Sequence, residues 1–142
     1  MKRLMTLAVA ILGFHAPVLA GELAIDVTGI RSDDGRVFLA LHQDRADVSF
    51  PDDQGAVAGA WMNAVAGTLS LVFPDLAEGH YAVSVMHDEN GDGELDANLL
   101  GVPTEGYGFS NDATGFMGPP DFSDASVEIG DEPFHAVITL RY

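Results

Sequence analysis

The chain of 142 residues has no cysteine, one tryptophan, and no lysine beyond Lys2. Without cysteine there can be no disulfide, the usual staple of small exported domains, and no thiolate chemistry. After Lys2 and Arg3 the basic residues are Arg31, Arg36, Arg45 and Arg141, set against 22 acidic ones. Phosphate contacts need cations, so nucleic acid and anionic membrane surfaces make poor partners, and cations are favoured. Long apolar runs are also missing, apart from one at the start.

That run, Leu4 to Phe14, follows the positive Lys2 and Arg3. "APVLA" then places Val18 and Ala20 at the small-residue spacing of a signal peptidase site. It is too short for a stable span of a bilayer about 30 Å thick. The expectation is a cleaved secretory signal at residues 1–20 and one domain at 21–142, periplasmic or secreted, with no membrane insertion after cleavage. A chain of that size can bury a real core.

Period-two alternation, the mark of half-buried strands, recurs along the domain. Leu23, Ile25 and Val27 alternate in "ELAIDVTGI". In "RVFLALHQ", Val37, Leu39 and Leu41 share one face, and Phe38, Ala40 and His42 share the other. "AVAGAWMNAVAG" reads as strand, its glycines and valines outweighing its alanines. "TLSLVF", "YAVSVMHD", "ASVEIG" and "FHAVITLRY" complete the set. No segment carries a long helical period with caps. The expected fold is all-β: an antiparallel β-sandwich of about seven strands, transthyretin-like or immunoglobulin-like. Residues 102–124, rich in Gly, Pro and aromatics, read as a long ordered loop without its own regular structure.

"HDENGDGELDANLLG" lies between strands and matches a calcium loop, D-x-[DN]-x-[DN]-G. Asp88, Asn90 and Asp92 take positions 1, 3 and 5, with Gly93 at the tight bend. Glu94 follows at position 7, where the backbone carbonyl serves, and Asp96 at position 9. A hard cation needs six to eight oxygens, and alternate inward residues supply them from one short segment. Position 12 is Leu99 where a bidentate glutamate belongs, so an oxygen must come from elsewhere. Asp96, Glu105, Asp112 and Asp121 are the candidates. Against this stands the ordinary abundance of Asp, Asn and Gly in turns.

His42 and His87 lie near strand ends and could meet across the fold as a transition-metal or catalytic centre, although no paired-histidine spacing occurs. Catalysis has little else to rest on. Ser110 in "GFSND" lacks the second glycine of a nucleophile elbow. Tyr107, Phe109, Phe116 and Phe122 could contact a protein, peptide or glycan, or simply cap the core.

The run from His87 through Ala125, with "RVFLALHQ", "FPDLAEGHYAVSVMHDENGDG" and the closing "AVITLRY", resembles domain of unknown function 2141, a family of exported bacterial proteins. The resemblance implies export and assigns no activity. Phe73, Leu76, Gly79 and Tyr81 also look like the F-x-x-L-x-x-G-x-Y phrase of transthyretin-like and collagen-adhesin-type domains, which implies a seven-stranded sandwich with the tyrosine packed inward. The leading expectation is an exported, non-enzymatic, calcium-binding structural or adhesion-like module. The alternatives are a protein centred on His42 and His87, or a metal-free interaction domain using loop 102–124.

Overall fold

A computed structural model describes residues 20–142; the expected leader lies outside them except for Ala20. The strands are β1 (Gly21–Ile30), β2 (Arg36–Gln43), β3 (Ala56–Asn63), β4 (Gly67–Leu76), β5 (Gly79–Asp88), β6 (Gly106–Phe109), β7 (Val127–Ile129) and β8 (Phe134–Thr139). One short helix, α1 (Phe122–Ala125), precedes β7. The strands form two sheets, β4-β1-β8 and β3-β2-β5, with β6 and β7 sharing the remaining edge of β5. β7 pairs with Gly79–Tyr81 and β6 with Ser84–His87.

The alternation in the sequence becomes the core. Leu23, Ile25 and Val27 of β1 face Val37, Leu39 and Leu41 of β2 and Val83 and Val85 of β5, all at most 4% exposed. Each such side chain contributes about 1.5–3 kcal/mol by leaving water. Tyr81 packs inward and donates its hydroxyl to the Ala77 carbonyl at 2.9 Å. Its buried oxygen is thereby satisfied.

The all-β sandwich holds, with three corrections of detail. Among the described residues there are eight strands rather than about seven, and β1 pairs with β8 in parallel. A parallel neighbour requires a long crossover, here most of the chain, which local patterning does not reveal. The third correction concerns residues 102–124, which contain β6, a 3₁₀ turn at Ser110–Asp112 and most of α1. The sequence of β6, "GYGF", looks like a loop because its glycines face the last strand. A Cβ on Gly106 would lie 2.6 Å from the Tyr142 ring, and one on Gly108 would lie 2.9 Å from Ile138. Close backbone approach, rather than a turn, requires them.

A second, smaller apolar cluster lies on the outer face of the larger sheet. Phe50, Tyr107, Phe109 and Phe122 gather there around Ala82 and Ala125. Phe50 contacts His42, Phe109 and Phe122 edge to face. Part of the aromatic segment is therefore core, whereas Phe116 at its tip is fully solvated.

Candidate metal centre

β5 ends at Asp88, and the chain turns at once through "ENGDG". Gly91 and Gly93 take positive φ of 77° and 82°, a left-handed conformation that costs glycine little. The bend returns their N–H groups to Asp88. Its Oδ1 accepts from Gly91 at 2.8 Å and its Oδ2 from Gly93 at 2.9 Å. Asp88 is 1% exposed.

Glu105 reaches the same point from the far side. An isolated bridge between Ala97 and Pro103 closes the intervening excursion, and β6 begins at the next residue after Glu105. Its Oε1 accepts from the N–H groups of Glu89 at 2.8 Å and Asn90 at 3.3 Å. Its Oε2 accepts from Asp96 N–H at 3.1 Å. Glu105 is 5% exposed. Carboxylate oxygens of Asp88, Asp92 and Glu105 lie within 4.8 Å of one another.

The electrostatics around these groups are one-sided. Neither Asp88 nor Glu105 makes an ion pair among the described residues. The neighbouring Arg31 instead pairs with Glu89, Nε to Oε1 at 2.9 Å, and holds that carboxyl down to about 2. Asp96 titrates above the usual carboxylate range, through partial desolvation and then the negative charges of Asp92 and Glu105. The Asn90 amide donates to Asp92 at 3.2 Å and to Asp96 at 2.6 Å, a neutral donor between two carboxylates.

Asp88 and Asp92 thus meet Glu105, and the Asn90 amide bridges Asp92 to Asp96. The Glu94 side chain points to solvent, and its N–H donates to Asp92 Oδ1 at 2.9 Å. Leu99, at the missing position 12, projects fully into solvent. Asp112 lies elsewhere and accepts from Thr139 N–H at 2.8 Å. Asp121 precedes α1, where its carbonyl accepts from Asp124 N–H at 3.1 Å. Of the proposed completing residues outside the loop, Glu105 joins the cluster. No local sequence signal set it apart from Asp112 and Asp121, because the strand that follows it reads as loop.

The two histidines do not meet. Strand alternation puts His87 beside Val37 on the inner face of the larger sheet and His42 beside Ala82 on the outer face. Both ring nitrogens of His87 are engaged, Nδ1 with the Tyr142 hydroxyl and Nε2 with the Asp34 carbonyl, each at 2.7 Å. His42 Nε2 meets Ser84 Oγ at 3.0 Å, while its buried Nδ1 has no partner. Burial lowers its pKa below the usual histidine value, only partly offset by Asp53 and Asp52. Ser110 is buried with its Oγ accepting from Val83 N–H at 2.8 Å and donating to the Ala125 carbonyl. That is a structural role tying the aromatic segment to β5.

No curated protein and no solved structure matches the chain. One family model does match, described as an uncharacterized protein conserved in bacteria, over residues 25–136. That span runs from β1 into β8 and includes every residue of the acidic cluster, so the chain belongs to the domain of unknown function 2141 family, DUF2141.

Proposed function

We propose that this chain is an exported, non-enzymatic β-sandwich module that binds calcium after β5. The ligands on this reading are Asp88, Asn90, Asp92, the Glu94 carbonyl, Asp96 and Glu105. The observation that carries it is the pairing of two buried carboxylates, Asp88 and Glu105, whose hydrogen-bond partners are backbone N–H groups alone. Buried charges are costly unless paired or metal-bound. Five N–H groups hold both carboxylates in place without cancelling their charge.

Calcium suits the site better than magnesium. The carboxylates and the Glu94 carbonyl offer oxygen, as does the Asn90 amide once its Oδ1 turns to the place of the N–H that bridges Asp92 and Asp96. The set is numerous enough for six to eight contacts from a glycine-rich loop. Magnesium would demand a tighter octahedron with more water. In this role Glu105 replaces the missing position-12 glutamate and ties the acidic loop to β6. The consequences are structural first: an ordered loop, and a firm attachment of the aromatic segment that follows.

The test is thermal melting in chelator and across a calcium series, with magnesium as control. Ligand at a hundredfold over its dissociation constant adds about 2.7 kcal/mol. That corresponds to a midpoint rise of about 10 °C for a domain of this size. A saturable, calcium-selective rise that disappears in Asp88→Ala/Asp92→Ala supports the reading. No rise in the unaltered protein refutes it.

A further inference from the structure

The outer face of the larger sheet carries a groove of about 770 Å³ that the acidic cluster does not explain. Strand register defines its shape. Trp61, Phe38, Met86 and Tyr107 are consecutive cross-strand neighbours on β3, β2, β5 and β6. One step along the strands, Gly59, Ala40, Ser84 and Phe109 form the next row. A row of large side chains thus stands beside three small ones, leaving a trough that crosses the strands. At a strand spacing of about 4.8 Å, the three small positions give it a floor about 10 Å long, closed at one end by Phe109, room for about three extended residues. Pro51 and Asp53 border one part of the groove, and Gly93, Glu94 and Leu95 of the acidic loop border another.

The chemistry of the lining narrows the occupant. The walls are aromatic and aliphatic, and the Ser84 hydroxyl offers a polar point on the floor. The charged residues of the lining are Asp53 and Glu94, both acidic. The nearby Arg36 guanidinium is stacked 4.3 Å from the Trp61 ring centroid. An anionic ligand would meet two carboxylates and a strongly acidic protein. An apolar ligand with positive ends would bury its body on the aromatic wall and place its charges at the rim.

We infer that this groove binds a short extended peptide segment of apolar residues flanked by basic ones. The inference stands on the sheet face and does not depend on calcium at the neighbouring loop. The groove also contains its own reporter, since Trp61 is the only tryptophan of the chain.

Gly59 supplies the decisive variant. A Cβ there meets only the Leu39 carbonyl, at an ordinary 3.5 Å. Gly59→Leu therefore fills the trough without straining the strand. Trp61 emission would be followed while titrating the protein with acetyl-Lys-Leu-Val-Phe-Lys-amide, its glutamate-flanked counterpart, and cellohexaose. The expected result is saturable binding of the lysine peptide, about tenfold weaker binding of the glutamate peptide, equivalent to about 1.4 kcal/mol, and loss of lysine-peptide binding in Gly59→Leu with unchanged circular dichroism. Asp53→Asn with Glu94→Gln should close most of the gap between the two peptides. The inference is overturned by no saturation with the lysine peptide, by equal affinity for both peptides, by binding that survives Gly59→Leu, or by a response to cellohexaose alone.

Discussion

Glu105→Gln gives the sharpest test of the acidic cluster, because its two effects separate with calcium. The change preserves volume and removes one charge. In chelator it relieves repulsion between Asp88 and Glu105, whose oxygens lie within 4.8 Å. At an effective dielectric near 20 that repulsion is worth about 3 kcal/mol. Against this, the amide NH₂ cannot accept from Asp96 N–H, and a buried donor left unpaired costs about 1–3 kcal/mol. The terms nearly cancel, so the chelated variant should melt within about 2 kcal/mol of the unaltered protein. With calcium the balance changes, since on the proposed reading a charged ligand has been lost. A tenfold weaker site, at a calcium level a hundredfold over the original dissociation constant, gains only about 1.4 kcal/mol instead of 2.7. The calcium-induced rise in midpoint should then fall from about 10 °C to about 5 °C. Paired melting scans in chelator and calcium give both numbers. An identical calcium shift in the two proteins would refute the role of Glu105.

The remaining predictions concern the frame around the cluster. His42 has a lowered pKa because burial penalises its charged form, so the unfolded chain takes up a proton first. Its stabilising contribution is present above the unfolded value near 6.5 and is lost as pH falls from there through the folded value, by about 1.4 kcal/mol per unit of separation. Melting scans between pH 7.5 and 5 should show this slope, and His42→Leu should flatten it. Gly35 has φ of 68°, and a Cβ there would overlap the Asp88 carbonyl; Gly35→Ala should destabilise by about 3 kcal/mol or more in urea unfolding. Tyr142→Phe leaves His87 Nδ1 and Arg31 N–H without their shared hydroxyl partner. It should cost about 1–3 kcal/mol by the same assay.

The sandwich was legible because burial follows strand alternation residue by residue. Val37, Leu39 and Leu41 face inward as the pattern requires, and Phe38, Ala40 and His42 face outward. The acidic loop was legible because Asp88, Asn90, Asp92 and Gly93 stand at fixed local offsets. What escaped depends on distant partners. Glu105 could not be separated from Asp112 and Asp121 without the Ala97–Pro103 bridge that turns the chain back. β6 was hidden because its glycines answer to Tyr142 and Ile138 rather than to any local rule. The groove was hidden for a similar reason: Gly59, Ala40 and Ser84 become neighbours only when three strands pair.

The parallel pairing of β1 with β8 bears on how the chain reaches this state. β1 sits between β4 and β8, and its contacts with β8 join Leu23 to Phe134 and Thr28 to Thr139. One ladder of the smaller sheet therefore forms only when the two ends of the domain meet. Loop-closure entropy opposes such contacts, and topologies rich in them fold in milliseconds to seconds rather than microseconds. Until β8 arrives, one edge of β1 has no strand beside it, and the core lacks Ala136 and Ile138. A chain emerging from its N-terminus cannot complete this architecture until Phe134–Thr139 is free to pair.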